Sequence, residues 1–140
     1  MNRAEIAARV PHRGRMCLLD AALRWDDTGL ACSSDSHRDP ANPLRAHGRL
    51  GAASALEYAG QAVALHASLA RSDASNSAGG AIAAVRELTL SVARLDDLPD
   101  SLSIVVRRLA GDSHTLLYDF DVTCGASAIA RGRMTIVVAT

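Results

Sequence analysis

The hydrophobic pattern divides the chain into two regimes. Over residues 48–71 small and apolar side chains, from Ala52 and Ala53 through Leu56, Ala59, Ala62, Val63 and Leu65 to Leu69, cover almost every direction around a 3.6-residue repeat. That pattern predicts a buried helix. At about 1.5 Å per residue it approaches the diameter of a small domain, so the remaining chain must pack around it. Farther on the period changes to two. Leu88, Leu90 and Val92 alternate with Thr89, Ser91 and Ala93. Leu102, Ile104 and Val106 fall two apart, and Leu116, Tyr118, Phe120 and Val122 alternate with Leu117, Asp119, Asp121 and Thr123. These are half-buried strands. A last strand over about 126–138 carries Arg131 and Arg133 on one face and Ala130, Gly132, Met134, Ile136 and Val138 on the other. Gly111-Asp112 and Cys124-Gly125 lie where tight turns are needed, so residues 101–138 read as an antiparallel meander.

The N-terminal part is less regular. Asn2 caps a short helix through about Arg9, with Glu5 reinforcing the start and Pro11 stopping it. Residues 21–26 and 28–36 read as strands around an Asp-Asp-Thr-Gly turn. Residues 37–49, with two prolines, an Asn and a Gly, form a loop leading into the central helix, and 72–80 is a surface loop. One long helix and one antiparallel sheet make an α+β domain, and a chain of 140 residues fits a single domain over 1–140.

The greasy helix carries one ionisable group at its centre, Glu57, with Ser54 and Gln61 within about 60° of it on the helical wheel. Burying an unpaired carboxylate is costly, so this wedge must face a partner, a cleft or a substrate. Two roles fit: a structural hydrogen bond to a neighbouring loop, or a catalytic acid.

Composition removes several function classes. Fifteen basic residues balance fifteen acidic ones, which argues against a dominant nucleic-acid or membrane-surface role. Every cation is Arg, so lysine Schiff-base chemistry is excluded. Cys17, Cys32 and Cys124 are far apart without CxxC spacing, which suggests reduced core thiols and neither a disulfide framework nor a metal site. With no signal-peptide pattern and no uninterrupted 18-residue apolar run, a cytoplasmic location is expected. No phosphate-cradling glycine loop, nucleophile elbow or zinc-protease motif is present, and no cofactor is implied. Trp25, Tyr118 and Phe120 are too scattered for a base-stacking surface and are expected in the core.

Pro11-His12-Arg13-Gly14-Arg15-Met16-Cys17-Leu18-Leu19-Asp20, then Gly48-Arg49-Leu50 and Leu56-Glu57-Tyr58-Ala59-Gly60-Gln61-Ala62, resemble the hot-dog fold 3-hydroxyacyl-acyl carrier protein dehydratases. Val85-Arg86-Glu87, Arg94-Leu95-Asp96-Asp97-Leu98-Pro99 and the final Arg131-Gly132-Arg133 strand extend the similarity over nearly the whole chain. They point to the subfamily encoded with aryl polyene and related polyketide clusters. The resemblance implies a long antiparallel sheet wrapped around a central helix. It also implies edge-to-edge pairing into a homodimer, or a heterodimer with another hot-dog subunit, with active sites at the interface.

The implied chemistry is removal of water from a 3-hydroxyacyl thioester by a histidine and a carboxyl group. Glu57 matches the family carboxylate, and Gln61 matches a glutamine one turn on that would orient it. The helix start near Ala52 and Ala53 would supply N–H groups to the enolate-like oxygen, and Ser54 would join them in binding substrate. The sequence departs from the fatty-acid dehydratases at the histidine, because the Gly-His-Phe-Pro-Gly loop is missing. His37 and His47, twenty and ten residues before Glu57, are the candidates. His37 is favoured because Ser36-His37-Arg38-Asp39-Pro40-Ala41-Asn42-Pro43-Leu44 resembles the closer subfamily. His12 reads as loop-fixing, His66 as packed or solvent-reaching on the helix side away from Glu57, and His114 as exposed. An acidic acyl carrier protein would dock on arginines near the loops, with Arg13, Arg15, Arg38, Arg45 and Arg49 as candidates. An acyl-thioester hydrolase and a non-catalytic partner or acyl-binding subunit are the alternative readings on the same fold.

Overall fold

A computed structural model of the chain describes residues 1–10, 14–70 and 80–138. The first helix, α1 (Arg3–Ala7), is closed by the expected capping box: the Asn2 side chain accepts from Glu5 N at 2.9 Å and Glu5 Oε1 accepts from Asn2 N at 3.0 Å. Strands β1 (Ala21–Trp25) and β2 (Gly29–Ser34) follow, joined by a turn in which Asp26 Oδ1 accepts from the amides of Thr28 and Gly29. The central helix α2 (Ala55–Ala70) then precedes β3 (Gly80–Leu90), β4 (Leu102–Gly111), β5 (Thr115–Cys124) and β6 (Ser127–Val138).

The strands form one six-stranded sheet in the order β1-β2-β4-β5-β6-β3, with each neighbouring pair antiparallel. The expected meander is β4-β5-β6. Its inner face presents Ile104, Val106, Tyr118, Phe120, Val122 and Met134, all buried, to the buried Tyr58, Ala59, Ala62, Val63 and Leu65 of α2. Alternation sets that face, because one residue in two points inward. Gly132 sits on it opposite Phe120, where a Cβ would come within 3.0 Å of the aromatic ring.

Two elements depart from the pattern by several residues. α2 begins at Ala55, preceded by a single 3-10 turn (Ala52–Ser54), because Gly48 is spent on a reversal: His47 and Gly48 have φ of 54° and 76° and join Ala46 to Arg49 in a two-residue hairpin. The strand expected from Leu88 to Val92 begins at Gly80 and ends at Leu90. The loop expected over 72–80 lies outside the described residues except for Gly80. Trp25 is not in the core but 45% exposed, since a register shift between Ala22 and Arg24 turns the end of edge strand β1 outward.

His66 packs rather than reaching solvent. It is fully buried, with Nδ1 2.6 Å from the Tyr118 hydroxyl and Nε2 2.8 Å from the carbonyl of Asp26. A carbonyl only accepts, so Nε2 carries the hydrogen and Tyr118 donates to Nδ1. Burial pushes the Tyr118 hydroxyl up to about 12, which keeps it a donor. Tyr118→Phe leaves Nδ1 buried and unpaired and is expected to cost about 1–3 kcal/mol in urea unfolding. An unchanged midpoint would show that the pair contributes nothing.

Candidate active site

Two segments reach α2 from the loop side. The first is residues 16–18, held by Gln61: its Nε2 donates to Met16 O at 2.6 Å and its Oε1 accepts from Leu18 N at 2.9 Å. Gln61 is therefore a clamp on the N-terminal segment. Each of its polar atoms bonds backbone, and among the described residues no hydrogen bond joins it to Glu57, the carboxyl group it is expected to orient. The second is the short 3-10 turn Ser36–Arg38, tied down through Ser36. Its hydroxyl donates to Leu18 O at 2.9 Å and lies 2.7 Å from the Tyr58 hydroxyl, which also accepts from Asn42 Nδ2 at 3.2 Å. Asn42 Nδ2 reaches Ser36 O at 2.9 Å as well. Ser34, Ser36 and Asn42 thus form one network with Tyr58 of α2, which satisfies groups that would be costly to bury alone.

This network places His37. Its side chain is fully buried between the turn and residues 98–100, with Nε2 3.1 Å from Leu98 O. Nε2 must carry the hydrogen, because the carbonyl can only accept, so Nδ1 keeps its lone pair. Nδ1 is buried and has no hydrogen-bond partner. Burial lowers the pKa of His37 below its ordinary value of 6.5. Arg38 acts in the same direction, while the carbonyls of Leu98 and Asp100 and the carboxylate of Asp35 oppose it. A neutral imidazole with a free nitrogen is the state that accepts a proton.

His47 is the other outcome. It is exposed at the tip of the 46–49 hairpin with a positive φ, so its side chain stands in water rather than in the cleft. His12 lies outside the described residues, and His114 is exposed as expected.

Glu57 sits half-buried in the first turn of α2. It lies about 100° around the helix from Tyr58, which faces the 36–42 network, and about 60° from Gly60. A Cβ on Gly60 would touch Ile82 of β3 at 3.4 Å, so Glu57 flanks the side of the helix that faces edge strand β3. Ser54 is half-buried one turn earlier. The helix entry is stapled to residues 93–96. Ala52 N donates to Ala93 O at 3.1 Å, Leu95 N to Leu50 O at 2.8 Å, and Leu50 N to Asp96 Oδ1 at 2.9 Å. Arg94 pairs with Asp96 and, with the Leu50 amide, holds that carboxylate well below the usual range. The Ala52 amide is consequently used up, which corrects its expected role as a substrate donor and leaves that of the exposed Ala53.

No thiol offers a nucleophile. All three cysteines are buried and free, and burial pushes Cys32 up to about 12. Among the described residues no group of His, Cys, Asp or Glu could hold a metal ion, and no helix is long and apolar enough to cross a membrane.

A six-stranded antiparallel sheet wrapped around one long helix is a hot-dog domain. The chain belongs to the ApeP-like family: the family model described as ApeP dehydratase matches residues 4–140, and the protein is accordingly a dehydratase of the aryl polyene type. The fold is shared with the dehydratase heterocomplex ApeI:P from Xenorhabdus doucetiae, at a TM-score of 0.84 and 20% identity over 96% of this chain and 91% of that one. A variant of the thioesterase PA1618 from Pseudomonas aeruginosa superposes at 0.59 with 16% identity over 84% and 79%. A hypothetical thioesterase from Streptococcus pneumoniae, solved with coenzyme A, superposes at 0.58 with 16% identity over 85% and 84%. Comparison with curated proteins gives no match.

Proposed function

We propose that the chain dehydrates a 3-hydroxyacyl thioester presented by an acyl carrier protein, with His37 as base and Glu57 as acid. The observation that carries this reading is His37 itself, buried, kept neutral and fixed by Leu98 with Nδ1 unpaired. Nδ1 takes the proton from C2. The C2–H electron pair passes into an enolate-like thioester and then forms the C2=C3 bond, the C3–O bond breaks, and the departing hydroxyl takes a proton from Glu57 to leave as water. The products are the 2-enoyl thioester and water.

The site is completed by a second hot-dog chain at β3. That strand is a sheet edge with Ile82, Leu88 and Leu90 each between 38% and 40% exposed, and an open apolar edge is unfavourable in a lone domain. The Xenorhabdus ApeI:P assembly, a heterocomplex, supports a related but different chain as the occupant. Of the arginines expected to receive the carrier, Arg15, Arg38 and Arg49 are exposed, Arg45 is turned inward, and Arg13 lies outside the described residues. A cytoplasmic location is consistent with three reduced thiols.

The test is mass spectrometry of a 3-hydroxyacyl-acyl carrier protein incubated with the protein and its hot-dog partner. Loss of water is expected with the native chain. Glu57→Gln is expected to lower that rate by about 10²–10⁴-fold while the fold is retained. Undiminished dehydration in this variant would remove Glu57 from the mechanism, and release of free acid by the native chain would mark a hydrolase.

A further inference from the structure

This inference rests on His37 as the base. Among the described residues two buried side-chain atoms lack a hydrogen-bond partner, His37 Nδ1 and Arg45 Nε. They belong to residues in contact, since Arg45 Nη2 donates to His37 O at 3.2 Å. The two atoms are of opposite kinds, because Nδ1 is an acceptor while an arginine Nε–H can only donate. Buried polar atoms are nearly always paired, so two such exceptions on touching residues mark a place where a ligand supplies the partners.

The chain holds Arg45 in that position. Asn42 O accepts from Arg45 N at 3.1 Å and Asn42 Oδ1 from Leu44 N at 2.9 Å, while Asn42 Nδ2 binds Ser36 O at 2.9 Å. The turn bearing Arg45 is thereby joined to the turn bearing His37. Arg38, the other arginine beside His37, differs: it is exposed and already bonded to Pro99 O and Asp35.

Proton removal at C2 drives negative charge onto the thioester oxygen, one carbon from the atom that His37 attacks. The amide of Ala52 is already committed to Ala93, which leaves Ala53 as the remaining donor of the expected pair at the helix start. We propose that Arg45 is a further catalytic residue, whose Nε–H donates to the thioester carbonyl oxygen while Nη2 steadies the His37 backbone. As the proton passes from C2 to Nδ1, the electron pair enters the C1–C2 bond and the carbonyl pair moves to the oxygen held by Arg45. That pair returns as C2=C3 forms and the hydroxyl departs with the proton from Glu57.

The test compares Arg45→Met and Arg45→Lys, each assembled with the hot-dog partner, in steady-state dehydration and in exchange of the C2 proton with deuterium oxide. Arg45→Met is expected to lower kcat by about 100-fold or more, with KM within about threefold, and to lose C2 exchange in parallel. Arg45→Lys, which keeps the charge, is expected to regain about tenfold of that loss with an unchanged melting temperature. The proposal is overturned if kcat of Arg45→Met stays within about threefold of the native value, or if KM alone rises, since that is the signature of carrier docking. It is also overturned if both variants lose activity only in step with their melting temperature. His37→Ala is the control. Native activity there refutes the base, whereas an inactive His37→Ala beside a fully active Arg45→Met refutes Arg45 alone.

Discussion

His37→Ala is expected to lower dehydration by about 10²–10⁴-fold, the contribution of a well-placed general base, while His47→Ala retains native turnover. The two histidines differ only in what surrounds them. His37 is fully buried and held by Leu98, whereas His47 projects from a hairpin tip into water. The pH dependence provides a second check. Burial places the pKa of His37 below 6.5 in the folded chain, against the opposing pull of Asp35 and the Leu98 and Asp100 carbonyls. Arg38, Arg45 and Tyr58 complete the polar surroundings. The neutral base therefore persists through neutral pH, and kcat/KM should decline only below pH 6.5, as the folded value is passed. Stability follows the same sign. The unfolded chain binds the proton first on acidification, so the contribution of His37 is whole above its unfolded pKa and lost as pH falls through the folded one. A kcat/KM limb centred above 6.5, or native activity in His37→Ala, would assign the base elsewhere.

Gln61→Leu is expected to be among the most damaging substitutions for stability, costing about 2–5 kcal/mol, because it strips two backbone groups of their partners at once. Met16 O and Leu18 N bond the Gln61 amide at 2.6 and 2.9 Å, and Gln61 is itself buried. Leucine conserves the apolar volume, so the loss reports the hydrogen bonds rather than a cavity. The consequence extends to the site, since Leu18 O accepts from Ser34 and Ser36 and so supports the turn that carries His37. Chemical denaturation with activity measured alongside is the check. A variant as stable as the native chain, with unaltered turnover, would show that the 16–18 segment holds its place without Gln61.

Much of the fold was legible because it depends on local periodicity. The α1 capping box, the meander of β4, β5 and β6, and the face division of β6 between Arg131 and Arg133 and the inward Met134 and Ile136 all follow from residue order. Trp25 was misplaced because its environment depends on a register shift in an edge strand, which no spacing within β1 reveals. The start of β3 was missed because Ala81, Ile82, Ala83, Ala84 and Val85 carry no polar alternation.

The sequence by itself determined an α+β domain, a helix apolar on nearly every side that carries Glu57, and, through the order of its motifs, membership of a dehydratase family. It named His37 and Gln61 without their surroundings. Only the tertiary structure decided that the Gln61 amide bonds Met16 and Leu18, that the Ala52 amide bonds Ala93, and that His37 is buried with Nδ1 unpaired. It alone turned Arg45, one of several loop arginines in the sequence, inward against His37. The reason is physical. Periodicity fixes which face a residue occupies, but a hydrogen bond between residues tens of positions apart exists only once packing has brought donor and acceptor within 3 Å or so of each other.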